Sequence, residues 1–396
     1  MFSNSNKGVV VVVMMIVLLM GLTFSVMAQD LGQGARIPVG QVTASGAVTG
    51  ISFSPAEQAA SLAYWSKERV VAATPLVMES QTGPATPSLE MPAALNELPG
   101  FTSPGAPAPN ADRQARRDYP REWAAMEAAI RAETRNLDAS SWLAAPAAAD
   151  GTSATFSSYT INQQAAVQKN FPHRVAGKFT FTTPQGGSSC SASVISGNNI
   201  IVTAAHCIYD TSTRNQFYTN FVFTPAFRDG NAPYGTFPAQ NCWVLNSWIN
   251  LSGGYAITSW ADDDVAVCKM GNNSAGRSLS NQTGWFGIGY NLGYVQHFHT
   301  LGYPVNSTAN TALPNGGKFL RSCQSESFQF ANNVVGTGCD LGPGHSGGAF
   351  IVGYKLNEVS GQVRSVYSGY FTNQNNVYGA RFNSNNIVPL CNTAGC

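Results

Sequence analysis

From Gly151 to the C-terminus the chain is written in short β-branched and aromatic runs, each closed by Asn, Gly, Ser or Thr. Residues 178–183, 193–194, 200–203, 221–223, 265–267, 286–289, 349–352 and 365–371 are such runs. Runs this short fall below the length of an ordinary helix, and their spacing predicts an antiparallel sandwich or barrel. All eight cysteines (Cys190, Cys207, Cys242, Cys268, Cys323, Cys339, Cys391 and Cys396) lie in this same part. An even set reads as disulfides in an exported chain, with 105 possible full pairings. Zinc is disfavoured, because no CxxC occurs and no histidine stands at ligand spacing from the thiols.

The N-terminus supplies the export signal. Lys7 precedes an uncharged stretch, residues 8–28, with its apolar heart at 9–22 and Val26-Met27-Ala28 at its exit. Residues 1–28 therefore read as a signal peptide. A permanent anchor is the competing reading, and the absence of a basic cluster after Ala28 weighs against it. Residues 29–118 are rich in Ala, Pro, Ser and Thr, which favours extended, solvated chain, with one helix at the apolar-periodic patch 56–72. Trp123, Met126, Ile130 and Leu137 paint one helical face over 121–137, with Pro120 at its start. Residues 144–150 then break the pattern as a Pro/Ala linker.

Charge divides at the same place. Residues 29–150 carry 9 basic and 13 acidic side chains, net −4, and residues 151–396 carry 12 basic and 8 acidic, net +4. Opposite signs favour docking of a leader, 29–150, on a mature domain, 151–396; a spacer without a role is the alternative. Processing is expected at Arg116-Arg117 or between Leu143 and Thr152. Over the whole chain only 11% of residues are charged and the net charge is +1, which gives nucleic acid no basic field to bind. A single long apolar run excludes a polytopic membrane protein, and no membrane association is expected once the signal is removed.

Three segments carry chemistry. The apolar run ending Thr203-Ala204-Ala205 delivers His206 beside Cys207. In Gly344-His345-Ser346-Gly347-Gly348 the glycines let the backbone turn sharply and expose a hydroxyl. The same turn can aim the N–H groups of Gly344 and Ser346 at one point, where an oxyanion would sit. Of Asp262-Asp263-Asp264 only Asp264 enters an apolar strand, and a buried carboxylate needs a partner such as an imidazole N–H.

Together these blocks, in this order, resemble the trypsin-like (chymotrypsin-fold) serine proteases: Thr203-Ala204-Ala205-His206-Cys207, Asp264-Val265-Ala266-Val267 and Gly344-His345-Ser346-Gly347-Gly348. The closer resemblance is to secreted microbial members of the V8-like, or glutamyl endopeptidase-like, group. Lys178-Phe179-Thr180-Phe181-Thr182, Cys190-Ser191-Ala192-Ser193-Val194, residues 220–234, Leu301-Gly302-Tyr303-Pro304 and Cys339-Asp340 are similar to theirs. The likeness covers about residues 172–390 and none of the leader. It implies an all-β fold of two antiparallel six-stranded barrels, the first about 172–270 and the second about 284–385. It further implies Ser346 as nucleophile, His206 as base, Asp264 as its orienting partner, and Gly344 and Ser346 as oxyanion donors. Protein or peptide substrates, a monomeric secreted enzyme, no metal or organic cofactor, and a Cys190–Cys207 bridge beside His206 follow from the same resemblance. Cys323–Cys339 and Cys391–Cys396 are the further pairs closest in sequence, leaving Cys242–Cys268.

The chain departs from trypsin immediately before the nucleophile, where His345 replaces the acid that receives a new N-terminal ammonium. Activation is therefore expected to come from release of the leader, a partner in cis, from a formed site. Asp340 stands six residues before Ser346, where an acid would form an anionic floor of the substrate pocket; a turn aspartate beside a disulfide is the preferred reading. Ser368 and Gly369 are expected to line the cleft through backbone hydrogen bonds. His297 and His299 alternate on a strand and read as structural rather than metal-binding. Neither stands where a glutamyl pocket would need it, and residues 365–370 contain no histidine. Two rival functions remain: a catalytically inactive protease-like binding protein, and an esterase. An α/β-hydrolase esterase fails on order, since its His follows its Ser and no histidine follows Ser346.

Overall fold

The computed structural model of the chain describes residues 40–76, 99–135, 154–161, 165–211, 215–251, 261–355 and 361–396. The expected signal 1–28, Leu137, the linker 144–150 and the second processing region lie outside them. The stretch expected as a leader contributes β1 (Gln41–Ser45), β2 (Val48–Ser52), α1 (Pro55–Tyr64), α2 (Lys67–Ala72), β3 (Thr74–Pro75), β4 (Phe101–Thr102), α3 (Ala111–Asp118) and α4 (Pro120–Arg135). After it come β5 (Phe156–Thr160) and α5 (Ala165–Gln168).

The first barrel is built from β6 (Ala176–Thr183), β7 (Gly186–Ser196), β8 (Ile200–Thr203), β11 (Thr219–Pro225), β12 (Phe237–Leu245) and β13 (Ala266–Met270). A two-residue-per-strand hairpin, β9 (Tyr209–Asp210) and β10 (Gln216–Phe217), stands outside it. Antiparallel pairing runs β6-β7-β8-β13-β12-β11 and returns to β6, so the sheet closes. Its interior is aromatic: Phe179, Phe181, Phe221 and Phe223 are fully buried, with the Phe179 and Phe221 rings stacked 5.6 Å apart.

The second barrel follows α6 (Asn246–Ile249), α7 (Leu279–Thr283) and β14 (Gly287–Tyr290). Its strands are β15 (His297–Leu301), β16 (Arg321–Ala331), β17 (Val334–Gly338), β18 (Ala349–Val352), β19 (Gln362–Tyr370) and β20 (Asn376–Ala380). Here the ring runs β15-β16-β17-β20-β19-β18 and closes on β15. A C-terminal helix, α8 (Ile387–Ala394), ends the chain. Four disulfides join Cys190–Cys207, Cys242–Cys268, Cys323–Cys339 and Cys391–Cys396.

The described part of the leader is not solvated coil. β2 adds to β12 from Leu245↔Val48 to Asn241↔Ser52, and Gly50 lies under Trp243, where a Cβ would come within 2.3 Å of the indole. The single helix expected at 56–72 is two. Ser54 and Glu57 form a capping box on α1, and Ser66 accepts the Arg69 amide to start α2 afresh. Between them Trp65 is 6% exposed and donates through Nε1 to the Asn220 carbonyl at 2.6 Å. On α4 Trp123 and Met126 are buried as the periodicity predicts, the indole meeting the Tyr234 ring edge-on. The Tyr234 hydroxyl donates to Asp112 at 2.9 Å, Arg174 donates to the Ala108 carbonyl at 2.9 Å, and Asp118 pairs with Arg277 at 2.6 Å. Composition over 29–118 suggested solvated coil because backbone pairing and a few polar anchors hold a Pro/Ala-rich segment without a continuous apolar face.

Burial also keeps three histidines neutral. Desolvation lowers His345 to about 3 and His173 to about 4; His299 also falls to about 4, through burial first and the neighbouring His297 second. In each case the unfolded chain takes up a proton near the ordinary value of 6.5 that the folded chain refuses until lower pH. Their contribution to stability is thus complete above about pH 6.5 and is lost as pH falls toward their folded values. For His345 and His173 the loss between pH 7 and pH 5 is about 2 kcal/mol each, at about 1.36 kcal/mol per unit. Thermal unfolding at the two pH values should show a smaller drop in Tm for His173→Gln than for the unsubstituted chain; equal drops would contradict it.

Candidate active site

The β8–β13 ladder places the first two residues. Thr203 pairs with Ala266, so the chain leaving β8 and the chain entering β13 stand side by side at one end of the first barrel. His206 follows in a 3-10 turn, Ala205–Cys207, three residues past Thr203; Asp264 precedes Ala266 by two. The Asp264 carboxylate is fully buried and spans the gap. Its Oδ2 lies 2.7 Å from His206 Nδ1, and its Oδ1 accepts the His206 backbone N–H at 2.9 Å. Among the described residues His206 Nε2, also buried, has no hydrogen-bond partner. An imidazole fixed through Nδ1 to a carboxylate, with Nε2 uncommitted, has the form of a general base. The Cys190–Cys207 bridge ties this turn to β7.

The other two aspartates of the run are half-buried rather than internal. Burial, and next the adjacent Asp263, raises the Asp262 carboxyl to about 6. Only Asp264 reaches the imidazole.

Ser346 comes from the opposite barrel, on the loop between β17 and β18. Gly344 and Gly347 adopt φ of 95° and 75°, a left-handed backbone that suits glycine. A Cβ on Gly347 would lie 2.0 Å from Thr203 Oγ1 and 2.8 Å from the Ala204 nitrogen, so the loop abuts the chain that leads to His206. Ser191 of β7 holds it there. The Ser191 amide donates to the Ser346 carbonyl at 2.7 Å, and the Ser191 hydroxyl donates to the Gly344 carbonyl at 2.8 Å. That hydroxyl in turn accepts the Tyr303 amide at 2.8 Å. Sequence reasoning did not single out Ser191; nothing in a serine on a strand signals a clamp until its partners are known.

Along 344–348 the amides divide into two sets. His345, Gly347 and Gly348 donate to the carbonyls of Gly342, Tyr367 and His345. The amides of Gly344 and Ser346 make no hydrogen bond among the described residues. These are the two N–H groups that the glycine spacing predicts as oxyanion donors.

Loop and β19 run together, since Gly347 and Tyr367 are joined at 2.8 Å and Tyr367 donates back to Gly348 at 2.9 Å. Ser368 and Gly369 continue directly beyond that point, and Ser368 is fully buried. The His345 ring is completely enclosed and tilted against Tyr367, 5.1 Å between centroids. Asp340 is placed differently. It is half-buried beside the Cys323–Cys339 bridge, with Oδ1 3.8 Å from Cys323 Sγ and its carbonyl accepting the Thr308 amide. It also acts on Arg321: burial lowers that guanidinium's pKa and the Asp340 charge opposes the fall. His297 and His299 lie on β15, which pairs with β18 just past the serine loop, His299 opposite Ile351, and His297 Nδ1 is 2.9 Å from Glu326.

The family model described as Trypsin matches residues 160–389. The glutamyl endopeptidase of Bacillus licheniformis is 26% identical over 150 residues, which cover 37% of this chain and 42% of that protein. The chain thus spans less than half the length of this curated relative. Among solved structures, the protease Anisep from Arthrobacter nicotinovorans is 28% identical, covering 57% of this chain and 97% of its own, with a TM-score of 0.47. A Glu endopeptidase solved in complex with MPD is 20% identical over 62% of this chain and 97% of its own, also at 0.47. The family match runs over more than half of the sequence, and the chain belongs to the trypsin family.

Proposed function

We propose that this protein is a secreted serine endopeptidase made as a precursor. The observation that carries the reading is the His206 ring, held at 2.7 Å by buried Asp264 with Nε2 uncommitted, next to a serine loop that keeps two amides free. Ser346 attacks the substrate carbonyl while His206 Nε2 takes its proton and later passes it to the leaving amine. Asp264 fixes the tautomer and stabilises the imidazolium. The Gly344 and Ser346 amides receive the oxyanion, a contribution of about 10²–10³ in rate per donor in comparable sites.

Neutral His345, enclosed in the second barrel, offers no anion to a new N-terminus, which supports control by the leader. For the glutamyl preference named for the relative, β19 offers no histidine, and His297 and His299 stand on β15. Asp340, with Arg321 nearby and its carbonyl tied to Thr308, fits a structural turn better than a free anionic pocket floor.

A fluorophosphonate probe tests the reading. Ser346 should be labelled in purified, leader-free protein, and labelling should vanish in His206→Ala; a folded protein that takes no label would favour the inactive binding-protein alternative. Asp264→Asn should keep the fold by circular dichroism yet lower kcat by about 10⁴, since the imidazole loses its tautomer control. A loss under tenfold would remove Asp264 from the mechanism.

A further inference from the structure

One edge of β7 carries three neighbours in line. β8 pairs at Ser193, Val194 and Ser196; the Ser346 carbonyl takes the amide of Ser191; and leader strand β3 pairs in parallel at Ser188 and Ser189. β6 fills the opposite edge from Gly186 to Ser193. Residues 189, 191 and 193 face the same way because backbone groups alternate along a strand, and Ser189 lies about 7 Å from Ser191. The leader therefore occupies the position adjoining the serine loop.

Specific bonds seat it. The Leu76 amide donates to the Ser189 carbonyl at 3.1 Å, and the Thr74 hydroxyl donates to the Gly187 carbonyl at 3.2 Å. The Ser189 hydroxyl reaches the carbonyls of Ala73 at 3.4 Å and Thr74 at 3.5 Å. Upstream, Trp65 covers Gly187, where a Cβ would stand 3.0 Å from the indole, so β3 is held in register. Cys190, the next residue along β7, is bonded to Cys207 beside His206. β3 thus adjoins the stretch of β7 that is tied to the His206 turn, and His206 is the group that hands its proton to the departing amine.

We propose that residues 74–76 are an autoinhibitory strand, docked on the β7 ledge that the leaving-group portion of a protein substrate must cross. The proposal rests on the serine-protease reading above. A strand in this place obstructs long substrates, which extend past the scissile bond, and leaves the acylation machinery itself intact. Small acyl donors with no residues beyond the scissile bond should escape it.

The test uses the full chain, confirmed intact by mass, with and without Leu76→Pro, which deletes the amide bonded to Ser189. Fluorophosphonate labelling and p-nitrophenyl acetate hydrolysis should agree within twofold between the two forms. Cleavage of fluorescein-labelled casein should rise at least tenfold in Leu76→Pro. Equal labelling with unchanged casein cleavage would overturn the autoinhibitory strand while leaving the protease reading standing. Absence of labelling in both forms would overturn the protease reading and the strand's role with it. Should Leu76→Pro alone lose labelling, Thr74→Ala decides in its place, with a rise of at least threefold expected and no rise counting against the proposal.

Discussion

The 2.7 Å hydrogen bond from the Ser191 amide to the Ser346 carbonyl joins a strand of one barrel to the glycine-rich serine loop of the other. With the Ser191 hydroxyl bridging Tyr303 and Gly344, one residue of β7 holds the loop at two points, Gly344 and Ser346. Each bond is worth only about 1 kcal/mol net, yet leaving any of these buried groups unpaired would cost more. Gly347 completes the fit, because the space beside Thr203 and Ala204 admits no side chain. His206 is placed from the same strands, through the β8–β13 ladder and the Cys190–Cys207 bridge. The His206 turn and the serine loop are thereby registered against common backbone, although they belong to different barrels.

The leader uses the same physics of strand edges. β2 takes an edge of β12 and β3 takes the part of β7 that β8 leaves open. Burial of Trp65 and Trp123 supplies about 1.5–3 kcal/mol apiece at full burial. The opposite net charges of leader and barrels become contacts between named residues, Asp118 with Arg277 and Asp112 with Arg174. Both pairs include one partly exposed member, so they orient the leader more than they hold it.

Much of this was legible in the sequence. The runs at 200–203 and 349–352 coincide with β8 and β18, and the helical face through Trp123 and Met126 is buried as its spacing requires. Of the three adjacent aspartates, the one next to the apolar strand, Asp264, is the buried one. Other elements left little trace. β16, Arg-Ser-Cys-Gln-Ser-Glu-Ser-Phe-Gln-Phe-Ala, has no β-branched residue and is a strand because β15, β17 and β5 flank it. The leader's β1 to β4 are likewise defined by the edges they meet rather than by their own composition. Ser191 was invisible for a related reason: its role lies wholly in partners more than 100 residues away.

The pairing of β2 with β12 has a consequence for any form of the protein that sheds its leader. From Asn241 to Leu245 the outer edge of β12 is paired with β2, while most of the same stretch is paired with β13, through the Cys242–Cys268 bridge as well, on the other side. Stripping β2 away would bare a run of amides and carbonyls together with the face of Trp243 that Gly50 covers. An unpaired edge flanked by an indole recruits strands from other molecules. β2 thus acts as a sheath for this edge: a form without it would present an adhesive flank.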